Sequence, residues 1–407
     1  MGLKQYKDTN VLEAAQERVR YAFDNFEKVY VSFSGGKDSS VTLHLAMDEA
    51  RRRNRVIGVL LIDLEAQYSL TIAHAEQMFR IYAEHIELHW VCLPMFLRNA
   101  VSNYEPRWCC WDEDKKDFWV RQKPNYLGVR KESSEYPFFV PKMEFEEFMV
   151  LWGVWYSEGK QTAGLIGIRA DESLNRFRTV ASKKKEMHGT ANFTTRVEES
   201  LYNLYPIYDW KTSDIWRYHA KFPDKCHNEV YDRMHLAGVP FSLMRLCQPY
   251  GDDQRRGLWL YHLLEPETWF KLVARVNGAN SGALYIQESG NVTGYNKITK
   301  PEGHTWRSFC NLLLQSLPKP TREHYIRRFR GFIKGWQNRG YVNGIPDEAP
   351  HILEAKQWSP SWRRMCKVLL RNDWWCKGLG LTQPKSDAYD RYMKEFKRKK
   401  KDEITNP

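Results

Sequence analysis

The chain has 407 residues, 42% of them hydrophobic and 14% aromatic, which excludes a disordered polymer and is too long for one ordinary core, so two or three domains are expected. A formal net charge of +12 favours anionic partners (nucleotides, nucleic acid or acidic proteins) without choosing among them. The opening "MGLKQYKDTN" has no apolar signal core, and Tyr6 stands where a myristoylation signal wants Ser or Thr. The longest early apolar run, "VIGVLLI", has the length of a buried strand, so a cytoplasmic protein without a membrane span is expected. Eight cysteines in a chain of this size do not make a disulfide framework and read as mostly reduced, buried thiols.

In chain order, residues 11 to 26 repeat apolar positions at helical spacing, and the β-branched run at 29 to 33 reads as a strand. A helix over roughly 38 to 53 follows, then a strand "RVIGVLLID", a helix "TIAHAEQMFRIYAEH" and a strand "IELHWVCL". Alternating helix and strand predicts an α/β fold, a parallel sheet with crossover helices. Residues 100 to 145, rich in Trp, Pro, Lys and Glu, have no clear period and read as an insertion. The alternation resumes with a helix near 144 to 158 and a strand "AGLIGI". Residues 1–250 are thus expected to form one domain, and the aromatic, basic residues 251–407 a mostly helical second one. Its helical stretches are "PETWFKLVARV", "TREHYIRRFRGFIKGW" and "SWRRMCKVLL"; a Gly/Asn/Ser-rich piece at 277 to 295 reads as loop, and the tail "KEFKRKKKDEITNP" as a charge run.

Between the first strand and the next helix lies "SGGKDSS". It is not a Walker A loop, because Lys37 is followed by Asp38, and it lacks the spaced glycines of a dinucleotide fingerprint. A tight turn alone would explain Gly35 and Gly36. It would not explain a lysine, an aspartate and three hydroxyls beside them. Glycines let backbone N–H groups approach an anion, and the following helix N-terminus points the same way. Ser34, Ser39 and Ser40 add donors and Lys37 a full positive charge, so the loop reads as a cradle for a phosphate or pyrophosphate. Asp38 fits if it orients the loop or helps hold Mg²⁺.

"SGGKDSS" after a strand resembles the PP-loop of the ATP-pyrophosphatase (adenine nucleotide alpha hydrolase-like) superfamily. "GIRADESLNRFR", 167 to 178, resembles the Gly-x-Arg segment of phosphoadenosine-phosphosulfate (PAPS) reductases. "LYPIYDWKTSDIWRYHAKF" and "HNEVYDRMHLAGVPFSLMRLC" resemble the stretches that follow it, so the chain looks like the PAPS reductase-like subgroup with a long C-terminal extension. The resemblance implies that Ser34, Gly35, Gly36, Lys37, Asp38, Ser39 and Ser40 hold the phosphates of ATP or PAPS. It implies that Gly167, Arg169, Asp171, Glu172 and Arg176 border the same nucleotide, Arg169 with a fork suited to phosphate or sulfate. A surface ion-pair network is the structural alternative for this cluster. Asp63, ending the second strand, is either a metal or ribose contact or an N-cap for the next helix; Glu65 favours the cap. Trp210 and Asp214 match the third segment and read as fold-shaping residues. The implied catalytic group is Lys37, Asp38 and Arg169, with Mg²⁺ at Asp38 and Asp63. The implied chemistry is cleavage of the α–β phosphate bond to adenylate, or transfer to, an acceptor that the sequence does not name.

The chain departs from the reductases where they carry their nucleophilic thiol. Cys376, in "WWCKGLGL", lacks the family's flanking Glu and His and reads as a buried thiol. Thiol-dependent PAPS reduction is therefore an alternative to adenylyl transfer. A further alternative is a nucleotide-dependent regulator of gene expression, or of a phage- or DNA-linked process, acting with a protein partner. Cys109, Cys110 and Cys247 occupy positions used for an iron–sulfur cluster in one subgroup, but Tyr250 stands at the fourth; an iron–sulfur cluster is not expected, and zinc is the other conceivable occupant. The basic segments "RRFRGFIKGW" and "WRRMCKVLLRNDWW" could lie on DNA phosphates, or pack their tryptophans inward.

Overall fold

The computed structural model describes residues 8–102, 104–182, 185–241, 244–251, 258–279 and 298–381. The charged tail, and all but the first residues of the stretch read as loop at 277 to 295, lie outside them. Among the described residues the chain divides into two compact units. One takes in the residues up to Met95 together with Cys110–Leu246; the other takes in Phe96–Cys109 and the residues from Cys247 on.

The first unit is built on a mostly parallel sheet of seven strands. Helix α1 (Val11–Asn25) starts at Asn10, whose side chain accepts from the N–H groups of Leu12 and Glu13, and leads into β1 (Lys28–Ser32). Helix α2 (Lys37–Arg52), strand β2 (Ile57–Ile62), helix α3 (Ser69–Ile81) and strand β3 (Ile86–Val91) follow. A hairpin that belongs almost wholly to the second unit, β4 (Met95–Arg98) with β5 (Arg107–Cys110), precedes the two-residue β6 (Val129–Arg130), which pairs with β3. Helix α4 (Phe145–Ser157), strand β7 (Thr162–Ile166) and helix α5 (Leu174–Ala181) come next. The antiparallel pair β8 (Thr194–Glu198) and β9 (Leu201–Leu204), then α6 (Thr212–Lys221) and α7 (Val230–Leu236), complete the unit.

The strand order is β6-β3-β2-β1-β7-β9-β8. The chain leaves β1 toward β2 and β3 on one side and returns through β7 on the other. Strand β1 is parallel to both neighbours, with Ser32 opposite Leu60 and Ile166. Its middle residues Val29, Tyr30 and Val31 are all buried, the mark of a strand covered on both faces. Ligand crevices in open α/β sheets form outside the carboxyl ends of the strands at such a reversal, and there the segments after β1 and β7 emerge side by side.

The second unit is mostly helical: α8 (Leu258–Leu264), α9 (Pro266–Arg275), α10 (Trp306–Ser316), α11 (Lys319–Gln337), α12 (His351–Ala355) and α13 (Trp362–Leu370). Trp306, Phe309, Tyr325, Phe329, Met365 and Trp374 form the centre of its core. The arginines at the start of α13 serve this unit itself. Arg364 is buried and donates to the carbonyls of Ser359 (2.6 Å) and Gly378 (2.9 Å), and Arg363 pairs with Glu348 (3.0 Å) and Glu354 (2.9 Å). No helix among the described residues is long and apolar enough to cross a membrane.

Candidate functional site

The loop after β1 needs its first glycine for two reasons. Gly35 has φ of +72°, and a Cβ there would stand 2.7 Å from Thr71 Cγ2. Gly36 is the N-cap of α2, so the N–H groups without a partner inside that helix begin at Lys37. Gly167, just past β7, has a different constraint: a Cβ would meet the backbone of Asp38 and Ser39 at 3.0 Å. Glycine at this position lets the β7 edge close on the loop.

That closure brings Arg169 to Asp38. Arg169 Nε donates to Asp38 Oδ1 at 2.5 Å, while Lys37 Nζ lies 3.2 Å from Oδ2, so one carboxylate bridges the two cations. Arg169 is 1% exposed and also donates to Thr212 Oγ1 (3.2 Å) and Asp171 (3.5 Å). Beside it, Glu172 pairs with Arg176, and Ser173 caps α5 by accepting from the Arg176 N–H. Lys37, Asp38, Gly167, Arg169, Asp171, Glu172 and Arg176 therefore share the carboxyl edge of β1 and β7.

The three serines divide. Ser34 is exposed on the loop, and its Oγ lies 3.1 Å from that of Ser39, which donates to the Gly36 carbonyl at 3.0 Å. Ser40 is placed away from the cradle. Fully buried, it donates to the Gly36 carbonyl (3.0 Å) and meets His74 Nε2 at 2.8 Å, so its hydroxyl braces the loop from behind. Burial, with His227 and His219 nearby, pushes the His74 pKa down to about 4, so the ring is neutral at pH 7.

Asp63 is neither a cap nor an open ligand; the N-cap of α3 is Tyr68. Its Oδ2 accepts from Trp90 Nε1 (2.8 Å), and its Oδ1 from the Glu65 N–H (3.0 Å) and from the Arg121 guanidinium. Glu65 is fully buried and accepts from the backbone N–H groups of Trp111 (2.7 Å) and Val120 (3.1 Å). Both carboxylates thus moor the segment after β5 to the end of β2. Asp38 lies between two cations and both oxygens of Asp63 accept hydrogen bonds, and no group of three His, Cys, Asp or Glu suited to a metal occurs among the described residues. Cys109 and Cys110 are consecutive in β5, so their side chains leave opposite faces of the strand. Tyr250 is buried, donating to the Leu272 carbonyl at 3.0 Å. Trp210 donates to the Val11 carbonyl (2.9 Å), and Asp214 accepts from the Lys211 N–H (2.8 Å) at the start of α6.

Cys376 sits in the core of the second unit, where burial and then Asp373 push its pKa up to about 12. It should stay unmodified when the native protein is treated with a thiol reagent at pH 8 and react once the protein unfolds; peptide mapping reads both states. Rapid native labelling would show the thiol to be presented to solvent.

Sequence reasoning assigned no roles within the stretch that closes this site. Asn228 donates to the Gly35 carbonyl (2.9 Å), and the hydroxyl of Tyr231 accepts from the Lys37 N–H (3.1 Å). Lys37 Nζ donates to the Met244 carbonyl (3.1 Å), and Arg245 to the Glu172 carbonyl (2.6 Å). The available signal was the resemblance of "HNEVYDRMHLAGVPFSLMRLC" itself.

Residues 28–234, just over half of the chain, match the phosphoadenosine phosphosulfate reductase domain. The chain belongs to that family. Residues 238–343 of this PAPS reductase-domain protein match a second domain, one of unknown function (DUF3440). A relative from Escherichia coli (strain K12), the uncharacterized protein YbdN, is 41% identical to this PAPS reductase-domain protein over 396 residues, 97% of this chain and 96% of its own. Among solved structures, the PAPS reductase from Candida auris in its phosphate complex aligns with 57% of this chain and 94% of its own, at 15% identity and a TM-score of 0.30. The U34-tRNA thiolase NcsA from Methanococcus maripaludis, with its [4Fe-4S] cluster, aligns with 74% of this chain and 88% of its own, at 11% identity and a TM-score of 0.32.

Proposed function

We propose that the loop at 34 to 39 binds the phosphates of an adenine nucleotide, ATP or PAPS, and that the site promotes displacement at the α-phosphorus. The observation that carries this reading is the position of Lys37. It opens α2, between the carboxyl ends of β1 and β7, with Asp38 joining it to Arg169. In the reaction with ATP, an acceptor oxygen bonds to the α-phosphorus and the bridging P–O bond breaks, its electron pair leaving on pyrophosphate. The acceptor's proton passes to solvent. Lys37 and the first N–H groups of α2 stabilise the charge that grows on the leaving phosphates, and Arg169 fixes the carboxylate that aims Lys37. No step is assigned to a metal ion or to a thiol of the protein.

Lys37→Ala should weaken ATP or PAPS binding by about 1.5–3 kcal/mol, the range for a hydrogen bond to a charged group. Titration calorimetry with each nucleotide measures it; unchanged affinity for both would reduce the loop to a turn. Pyrophosphate release from ATP, assayed with candidate acceptors, tests the chemistry separately.

A second reading, a nucleotide-dependent regulator without turnover, draws on one observation. Lys37 is only 5% exposed and already bonded to Asp38 and Met244, so its site is closed in this conformation. Nucleotide binding without release of pyrophosphate or AMP would favour it.

A further inference from the structure

Helix α11 (Lys319–Gln337) has two unlike sides. Thr321, Tyr325, Phe329 and Phe332 are buried in the second unit. The other side exposes Arg327, Arg330 and Lys334, spaced three and four apart and so aligned over two turns. Glu323 is the one carboxylate of the helix, and no ion pair engages Arg327, Arg330 or Lys334 among the described residues. The arginines of α13 make the contrast: Arg363 is neutralised by two glutamates and Arg364 is buried.

Beside this row of cations lie Gly331, between Arg330 and Lys334 in the chain, and Gly335, just after Lys334. Glycine is the poorest helix former after proline, and two of them on one exposed face weaken the helix. Internal packing does not account for them, since a Cβ built at either would meet nothing within 4 Å. Their effect is to keep the helix surface low along one flank of the cation row, so a body from outside can approach the backbone there while the longer side chains hold it from the other flank.

We propose that this face of α11 docks on the phosphodiester backbones of duplex DNA. Three unneutralised cations in register complement a polyanion. The face carries no exposed aromatic ring, because Tyr325, Phe329 and Phe332 are buried and half-buried Trp336 packs against the core; single strands are held in grooves lined with rings for stacking. A helix roughly 28 Å long enters or lies along the wide major groove of B-DNA, whereas the deep, narrow major groove of A-form RNA shuts it out. The contact is to backbone phosphates, so binding carries little sequence preference.

The test uses the full-length protein and a fluorescent 25-base-pair duplex of mixed sequence, followed by anisotropy from 50 to 300 mM KCl. The expected result is binding whose affinity falls steeply with salt. The triple variant Arg327→Glu, Arg330→Glu, Lys334→Glu should lose at least about tenfold at 100 mM KCl, with a log–log salt slope shallower by about 2–3. The control Arg20→Glu, Lys160→Glu, Lys221→Glu makes the same change in net charge at exposed positions of the first unit and should stay within about threefold of the parent. The pair Gly331→Leu, Gly335→Leu keeps every charge and should also lose about tenfold by lifting the phosphates away, while circular dichroism shows the helix intact. Failure of the parent to bind duplex DNA, equal losses in the control, full affinity in the leucine pair, or tighter binding to single-stranded DNA or duplex RNA would each overturn the proposal.

Discussion

Replacing Asp63 with alanine should cost the fold about 3–5 kcal/mol, the penalty for removing one partner of a buried ion pair. The side chain of Asp63 is 0% exposed and that of Arg121 is 17% exposed, so the guanidinium would be left in a poorly solvated place without its counter-charge. The loss extends further, because Trp90 Nε1 and the Glu65 N–H both donate to the same carboxylate. Such a cost is about a fifth or more of the stability of an ordinary domain. Asp63→Asn keeps the shape and one acceptor oxygen, and should fall between the parent and the alanine variant. Urea unfolding with an unchanged slope would measure both. A cost below about 1 kcal/mol for Asp63→Ala would show that Arg121 finds water or another partner at once, and that the cluster does not moor the segment after β5.

Acidification from pH 7 to 5 should remove stability on a similar scale. His44, His74 and His219 are buried, and burial lowers their pKa values to about 3, 4 and 4 from an ordinary 6.5. In the unfolded chain all three take a proton as the pH passes 6.5; in the folded chain they refuse it until about 4 or below. Between these limits the unfolded state binds more protons, so stability falls as the pH falls. Each histidine contributes about 1.4 kcal/mol per pH unit, so the three together remove on the order of 6 kcal/mol by pH 5. The geometry agrees: His44 Nδ1 meets the Tyr82 hydroxyl at 2.7 Å and Nε2 the Cys226 carbonyl at 2.8 Å, bonds that a neutral ring makes as acceptor and donor. Carboxylates with lowered pKa values, such as Glu49 and Glu354, act only at more acid pH, so the window from 6.5 to 5 belongs to the histidines. Unfolding free energy measured at half-unit steps should slope through that window, with uptake near pH 5.5 of about three protons by these rings and a fourth by half-buried His324, whose pKa burial also lowers to about 4. A flat profile would mean that these rings reach water in the native state.

The central strands were legible because burial on both faces leaves continuous β-branched runs, as in "VYVSF" and "VIGVLLI". The strands at the sheet margins were not. Strand β6 has two residues, too few for any period, and β8 reads "TTRVE", with charge on a half-covered edge. At the site, the loop and the Gly167–Arg169 segment could be read because each packs several chemically unlike residues into a short stretch. The roles of Asp63 and Ser40 could not be read. A carboxylate at a strand end looks the same whether it faces a ligand or holds an arginine from a later segment, and a serine in a phosphate-type loop looks the same whichever way its hydroxyl turns. Only the fold brings Arg121 to Asp63 and His74 to Ser40. Tyr231 and Met244 are harder still, since Met244 acts through its main chain and any residue could supply that carbonyl.

The clasp at Glu65 has a consequence for how this part of the molecule can vary. By accepting from both Trp111 and Val120, one carboxylate ties off the residues between them as a small ring hung from the end of β2. The entropy of closing such a ring grows only with the logarithm of its length, so each doubling costs about 0.6 kcal/mol. Residues can be inserted or exchanged within the exposed stretch 113 to 118 without moving β2 or the loop beside it. The border of the carboxyl edge can thus be remodelled at small thermodynamic cost while the sheet stays as it is.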